Sequence, residues 1–265
     1  MGIFKFLVMY SFRSKVNNIF DDVGDYALFL NGFAKNVFSK GFEWNELIKQ
    51  CFFIGYKSLN IVLVTGFVLG FVLTLQSQPT LKAFGAESYV PNMVAISIIS
   101  ELGPVIISLI CAGKISSGIG AELGSMKVTE QIAAMEVSAT NPVQYLVVTR
   151  ILACILMVPI LVIIADVFAF FGGFFGTNIS GNMSAFLYFN KSFESLAFSD
   201  FFPALIKTFF FGFTIGFIGC YKGFNANKGT ESVGIAANSA VVTASFWIII
   251  IDALAVQLTS VFIYN

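Results

Sequence analysis

The sequence predicts an all-α integral membrane protein in which N-terminal interfacial amphipathic helices precede five transmembrane helices, with a short cytoplasmic helix between spans two and three. Three observations carry that expectation. Hydrophobic residues make up 57% of the 265 residues and charged ones 11%, with a mean hydropathy of +0.85, far from the roughly 25% charge of soluble domains. Several apolar runs reach the ~20 residues that a helix needs to cross ~30 Å of hydrocarbon. Between them, Ser100 to Pro142 carries an acid, a proline, a lysine and a polar helical segment in close succession.

Residues 1–57 are charged yet strongly apolar and are expected to form a cytoplasmic and interfacial region, followed by a five-span domain over 58–265. Met1 to Phe12 lacks a small-residue cleavage site and is followed by Asp21, Asp22 and Asp25, so it fits a signal peptide poorly and is expected to be retained. Tyr26, Phe29, Leu30, Phe33 and Val37 recur at helical spacing opposite Asn31, Lys35 and Asn36. Trp44, Leu47, Ile48, Cys51 and Phe52 repeat the pattern opposite Glu43, Glu46, Lys49 and Gln50. Two amphipathic helices joined at Ser39-Lys40-Gly41 follow, each too polar to span the bilayer.

Span one is the charge-free stretch Ser58 to Leu81. After a polar turn, span two enters at Pro91 and continues to about Ser117 with Glu101 inside it, and Lys114 falls in a Ser/Gly-rich turn. Thr129 to Val137 alternates acids with Ile132, Ala133 and Met135 and ends at Asn141-Pro142, which predicts a short amphipathic helix. Span three runs from about Leu146 to Phe175, and Asn178 to Asp200 reads as a loop. Phe201 to Tyr221 is span four, and Asn238 to Ile263 is span five. Placing the N-terminus in the cytoplasm puts twelve of the fifteen Lys and Arg residues on that side, leaving Lys82, Lys191 and Lys207 towards the other face, as the positive-inside rule prefers. The C-terminus then lies outside, and the Thr129 to Val137 helix lies in the cytoplasm.

Glu101 is the most informative charge, because a carboxylate inside a span costs about 2.5–3.5 kcal/mol on insertion scales unless it meets a partner or water. Pro104 shares its turn and removes a helical bond to the carbonyl of Ser100. Lys114, 13 residues on, is about 20 Å away along the helix axis and cannot pair with it. Lys207, entering span four from the same side, is the better partner. A cavity is therefore expected around Glu101 and Lys207, with Leu102, Val105 and Ile106 offering it apolar surface. Asp166 and Asp252 could each be a cavity residue or an outer-end interface residue. Gly66/Gly70, Gly172/Gly176 and Gly212/Gly216 are GxxxG pairs, favoured for packing within one subunit and second for a subunit interface.

Several function classes are excluded. There is no histidine, which removes histidine triads and most zinc sites, and no cofactor is implied. Cys51, Cys111, Cys154 and Cys220 are isolated and read as core thiols. No basic face suits a nucleic acid. No phosphate-binding GxxxxGK[ST] loop occurs, so the chain does not hydrolyse nucleotides itself. An ion-coupled secondary transporter of a hydrophobic substrate could also use Glu101, Asp166 and Asp252, but five spans leave no obvious inverted repeat. A membrane enzyme would need clustered nucleophiles or metal ligands, which this sequence lacks.

The run ELGPVIISLICAGKISSGIGAELGSMKVTEQIAAMEV, together with GCYKGFNANKGTESVGIAANSAVV at Gly219 to Val242, resembles the MlaE/YrbE family of ABC transporter permeases. ELGP, AGK in place of the more usual AGR, AELG and TEQIxAMEV occur in order; the pattern departs at Ser138 to Asn141 and at Asn227-Lys228. The resemblance implies a homodimeric subunit of the bacterial inner membrane that is not itself an enzyme. It implies a separate ABC ATPase, docked by a coupling helix made of Thr129, Glu130, Ile132, Ala133, Met135 and Glu136. It also implies phospholipid as substrate, exchanged with a periplasmic Mce-domain lipid-binding protein, a traffic that contributes to outer-membrane lipid asymmetry.

Overall fold

The computed structural model describes residues 24–37, 42–180, 183–194, 196–227 and 229–263. Met1 to Phe12 and the joint at Ser39-Lys40-Gly41 lie outside them. Among the described residues there are eight helices and no strand: α1 (24–37), α2 (Trp44–Ala83), α3 (Glu87–Val128), α4 (Gln131–Val137), α5 (Val143–Ile179), α6 (Ala185–Glu194), α7 (Phe198–Phe224) and α8 (Thr230–Ile263). Five of them, α2, α3, α5, α7 and α8, are long and apolar enough to cross a membrane. One end of the bundle carries α1, α4 and the α7–α8 turn; the other carries the α2–α3 turn and α6.

The second N-terminal amphipathic stretch is not a separate helix. It is the opening of α2, which runs unbroken for 40 residues, about 60 Å at 1.5 Å per residue. Its apolar face is also turned outwards: Trp44, Ile48 and Phe52 are exposed, whereas Glu46 and Gln50 are buried beside Leu47. Gln50 Nε2 donates to Glu46 Oε1 at 2.7 Å, and Tyr145 Oη donates to Glu46 Oε2 at 3.3 Å. In a membrane the favourable exterior is apolar, so the few polar groups gather inside, where they find partners.

The expected face of α1 packs on α7. Tyr26 stacks on Tyr221 with ring centroids 4.1 Å apart, Phe29 meets the same ring edge-on at 5.5 Å, and Phe33 meets Phe213 at 5.9 Å. Asn141 Nδ2 donates to Asn36 Oδ1 at 2.6 Å, tying α1 to the start of α5. The loop expected over Asn178 to Asp200 instead contains α6. Tyr188 and Ser192 are fully buried there while Phe186 and Phe193 face outwards, and Lys191 Nζ donates to Ser88 O at 3.0 Å. Its pattern is again the reverse of a soluble helix, which is why its phenylalanines read as loop.

The glycine pairs pack within the subunit. A Cβ on Gly66 or Gly70 would strike the backbone of Ala165 or Ala169, one on Gly172 the backbone of Phe67, and one on Gly216 would sit 2.9 Å from Ile151 Cα. Small residues thus bring α2 and α7 into close backbone contact with α5. Cys111, Cys154 and Cys220 are buried in this core, Cys51 is half-buried against it, and all four are free thiols. On α8, Ala236, Ala240, Ala244 and Ile248 form the buried ridge, and larger residues such as Ile235, Val242, Phe246 and Leu254 are exposed.

Candidate functional site

Span two is longer and less regular than its composition predicts. It continues through the Ser/Gly-rich stretch to Val128, so Lys114 lies within helix rather than in a turn. Two π-helical turns, Ile98–Leu102 and Ala112–Ser116, interrupt its α-helical register. The first answers Pro104, which lacks the N–H that would serve the carbonyl of Ser100. The Gly103 N–H reaches back to Ile98 O instead, and the wider turn rotates Glu101 relative to the residues beyond it.

Glu101 thereby meets the partner expected from the sequence. Lys207 Nζ, on α7, donates to Glu101 Oε2 at 2.9 Å and also to Asp252 Oδ1 of α8 at 3.0 Å. Asp252 resolves as a member of this cluster; its pairing was not readable because it falls near the end of a long apolar run. The lysine side chain is 6% exposed, Asp252 18% and Glu101 44%, so a buried cation is held by two acids of unequal access to solvent. Two of the three ammonium protons are thus engaged.

A cavity of about 120 Å³ opens beside this cluster. Ser100 and Glu101 of α3, Ser199, Pro203 and Lys207 of α7, and Val256 and Thr259 of α8 are among its lining residues. From Lys207 to Ser199 is eight residues of α7, so the cavity runs about 12 Å towards the α6 end of the bundle. Leu102, Val105 and Ile106 are half-buried on α3 and are not among the lining residues. The apolar lining comes instead from Pro203, Ala204, Ala255 and Val256, which a helix-by-helix reading cannot bring together.

Asp166 does not reach that cavity. It is buried on α5 against Gly103, where a Cβ would strike Asp166 Oδ1, and it lines a separate small void with Pro104, Thr208 and Leu205. It is therefore an interior residue rather than an outer-end one. At the opposite end, Arg150 of α5 is 2% exposed and its Nη2 donates to Glu122 Oε1 of α3 at 2.8 Å, while Nη1 donates to Leu146 O at 3.0 Å. The glutamate of AELG thus finds a cation from the next span, a pairing that no local spacing announces.

The short helix between spans two and three is present as α4, slightly later than its sequence suggests. Thr129 caps α3 and donates its hydroxyl to Ser125 O at 2.8 Å. Glu130 turns the corner at φ 59°, and Ala139 turns the next at φ 59°. Two left-handed non-glycine residues thus bracket the seven helical ones, a conformation that costs about 1–3 kcal/mol at each position. Ile132 is buried in the main core and Met135 packs half-buried against it; Ala133, Glu130 and Glu136 are exposed. The helix is anchored by one face and presents its acids on the other. Among the described residues no cluster of His, Cys, Asp and Glu could hold a metal ion.

Comparison with known proteins is consistent across most of the chain. The family model for Permease MlaE matches residues 47–258. A probable ABC transporter permease protein of Rickettsia typhi is 38% identical over 236 residues, covering 89% of this chain and 91% of the relative. One from Pyropia yezoensis is 36% identical, covering 78% and 79%, and one from Synechocystis is 34% identical, covering 74% and 75%. An ATP-driven system is thereby favoured over ion-coupled secondary transport, and on this extent of match the chain belongs to the MlaE family of ABC transporter permeases.

Proposed function

We propose that this permease moves phospholipid between the bacterial inner membrane and a periplasmic Mce-type lipid carrier, as a homodimer driven by a separate ABC ATPase. The α4 end faces the cytoplasm in this reading, with α1 in the interface, and the α6 end faces the periplasm. An ABC permease implies an ATPase partner, and α4, with Glu130 and Glu136 exposed, is the coupling helix that meets it. The exposed apolar face of α8 is where the second subunit packs; the GxxxG faces are already used within the chain.

The observation that carries the reading is Lys207. A lysine buried within a span, held between Glu101 and Asp252 at the inner end of a cavity, is an expensive arrangement in hydrocarbon and marks a substrate path. Its third proton meets a lipid phosphate, and the apolar walls of α7 and α8 take the chains. The test is photo-crosslinking in cells, with a photoreactive residue placed at position 101 or 256. Capture of phospholipid at both supports the reading; capture of none, with wild-type lipid transport by Lys207→Ala, sinks it.

A further inference from the structure

A second cavity, of about 200 Å³, lies between α2 and α3 at the α4 end of the bundle. We propose that it binds an anionic phospholipid from the leaflet on that side, separately from the Glu101 cavity. Lys57 of α2 and Lys114 of α3 both line it, and neither has an acid within ion-pair distance among the described residues. Glu122 also lines it, but its charge is matched by Arg150, so the cavity presents two uncompensated cations. The walls between them are apolar: Ile54, Ile115 and Ile119 are buried, and Phe53 lies 3.6 Å beneath the Lys57 ammonium.

Three features fit this to a lipid rather than to a soluble anion. Lys57 ends the charge-free run that begins at Ser58 and continues to Leu81, about 36 Å of helix, so the ammonium stands at the hydrocarbon edge where lipid phosphates lie. Lys114 ends the charge-free run of α3 that begins after Glu101 and sits within the π-helical turn Ala112–Ser116, a distortion frequent at functional sites. Gly118 faces open space, with nothing within 4 Å of where a Cβ would stand, which leaves room for a chain beside the phosphate. Basic pockets between spans are the usual seat of anionic headgroups.

The experiment is native mass spectrometry of the full-length protein in mild detergent, titrated with phosphatidylglycerol or phosphatidylcholine. The wild-type protein retains phosphatidylglycerol in preference to phosphatidylcholine, and Lys57→Gln with Lys114→Gln lowers that preference about tenfold. Gly118→Phe, which fills the cavity and keeps both lysines, lowers retention equally. Millimolar inorganic phosphate does not compete. Benzoylphenylalanine in place of Phe53 captures phospholipid. An undiminished preference in the double variant, displacement by phosphate, or capture of a second copy of the chain at position 53 each overturns the proposal.

Discussion

The two ends of the bundle each bury one cation beside a half-exposed glutamate, yet they use it differently. At the α4 end, Arg150 shares its guanidinium between Glu122 and the carbonyl of Leu146, so it is fixed in orientation and joins α3 to α5. At the α6 end, Lys207 is a compact charge on a flexible stem, held by acids from two further helices and open to a cavity. Arginine's planar fork suits a clamp, and lysine's point charge suits a site whose partner changes. The difference also lies in redundancy: among the described residues, Arg150 has one carboxylate at ion-pair distance and Lys207 has two.

That contrast can be broken first where it predicts the largest loss. Glu122→Gln leaves Arg150 buried without its hydrogen-bonded carboxylate, which should cost on the order of 3 kcal/mol, towards the low end because Glu122 is 47% exposed and water can replace part of it, and because Glu46 also acts electrostatically on the arginine. Thermal unfolding in detergent should show a clear drop in midpoint. An unchanged midpoint would mean that the Leu146 carbonyl and the nearby charge of Glu46 suffice for the arginine.

Lys207→Met should act on function more than on fold. It removes the buried cation, leaving Glu101 with access to solvent and Asp252, 18% exposed, without its partner, so the protein should insert and assemble with some loss of stability while lipid transport falls by more than about tenfold. Transport measured in reconstituted vesicles with the ATPase present decides it, and near-wild-type rates would move the substrate path away from this cavity.

The third contrast sets the α4 end against the α6 end as a partner surface. Glu130→Lys with Glu136→Lys changes two exposed acids and leaves Ile132 in the core, so stability should shift by less than about 1 kcal/mol. ATPase recovered with the purified permease should fall several-fold, as charge reversal at an interface suppresses partners. Equal recovery would detach α4 from the coupling role.

Much of this architecture was legible in the residues because the membrane imposes one strong rule: charge-free runs of sufficient length become spans. The pairing of Glu101 with Lys207 followed from the cost of an acid in such a run and the side from which each helix enters. Glu46, Gln50 and α6 were misread for the converse reason. Amphipathicity reads as apolar-inside in water, but Trp44 and Phe186 point outwards here and Gln50 and Ser192 inwards. The π-helical turns, the join of Arg150 to Glu122 and the walls of the cavity depend on contacts between distant helices, for which one sequence carries no local signal.

The smallest expected effects test redundancy itself. Glu101→Gln and Asp252→Asn each remove one of two acids around Lys207, and each leaves the ammonium with a carboxylate at hydrogen-bond distance. Each should therefore cost less than about 1 kcal/mol in stability, nearer the value of an exposed pair than that of a broken buried one. Removing both strands a buried lysine, and the combined cost should exceed the sum of the singles by about 1–3 kcal/mol, the range for groups that share a partner. The double variant would then reproduce at the α6 end what Glu122→Gln alone does at the α4 end. A simple sum in unfolding midpoints would mean that the two acids act independently on Lys207, and the distinction between a single-partner clamp and a doubly held, exchangeable charge would fail.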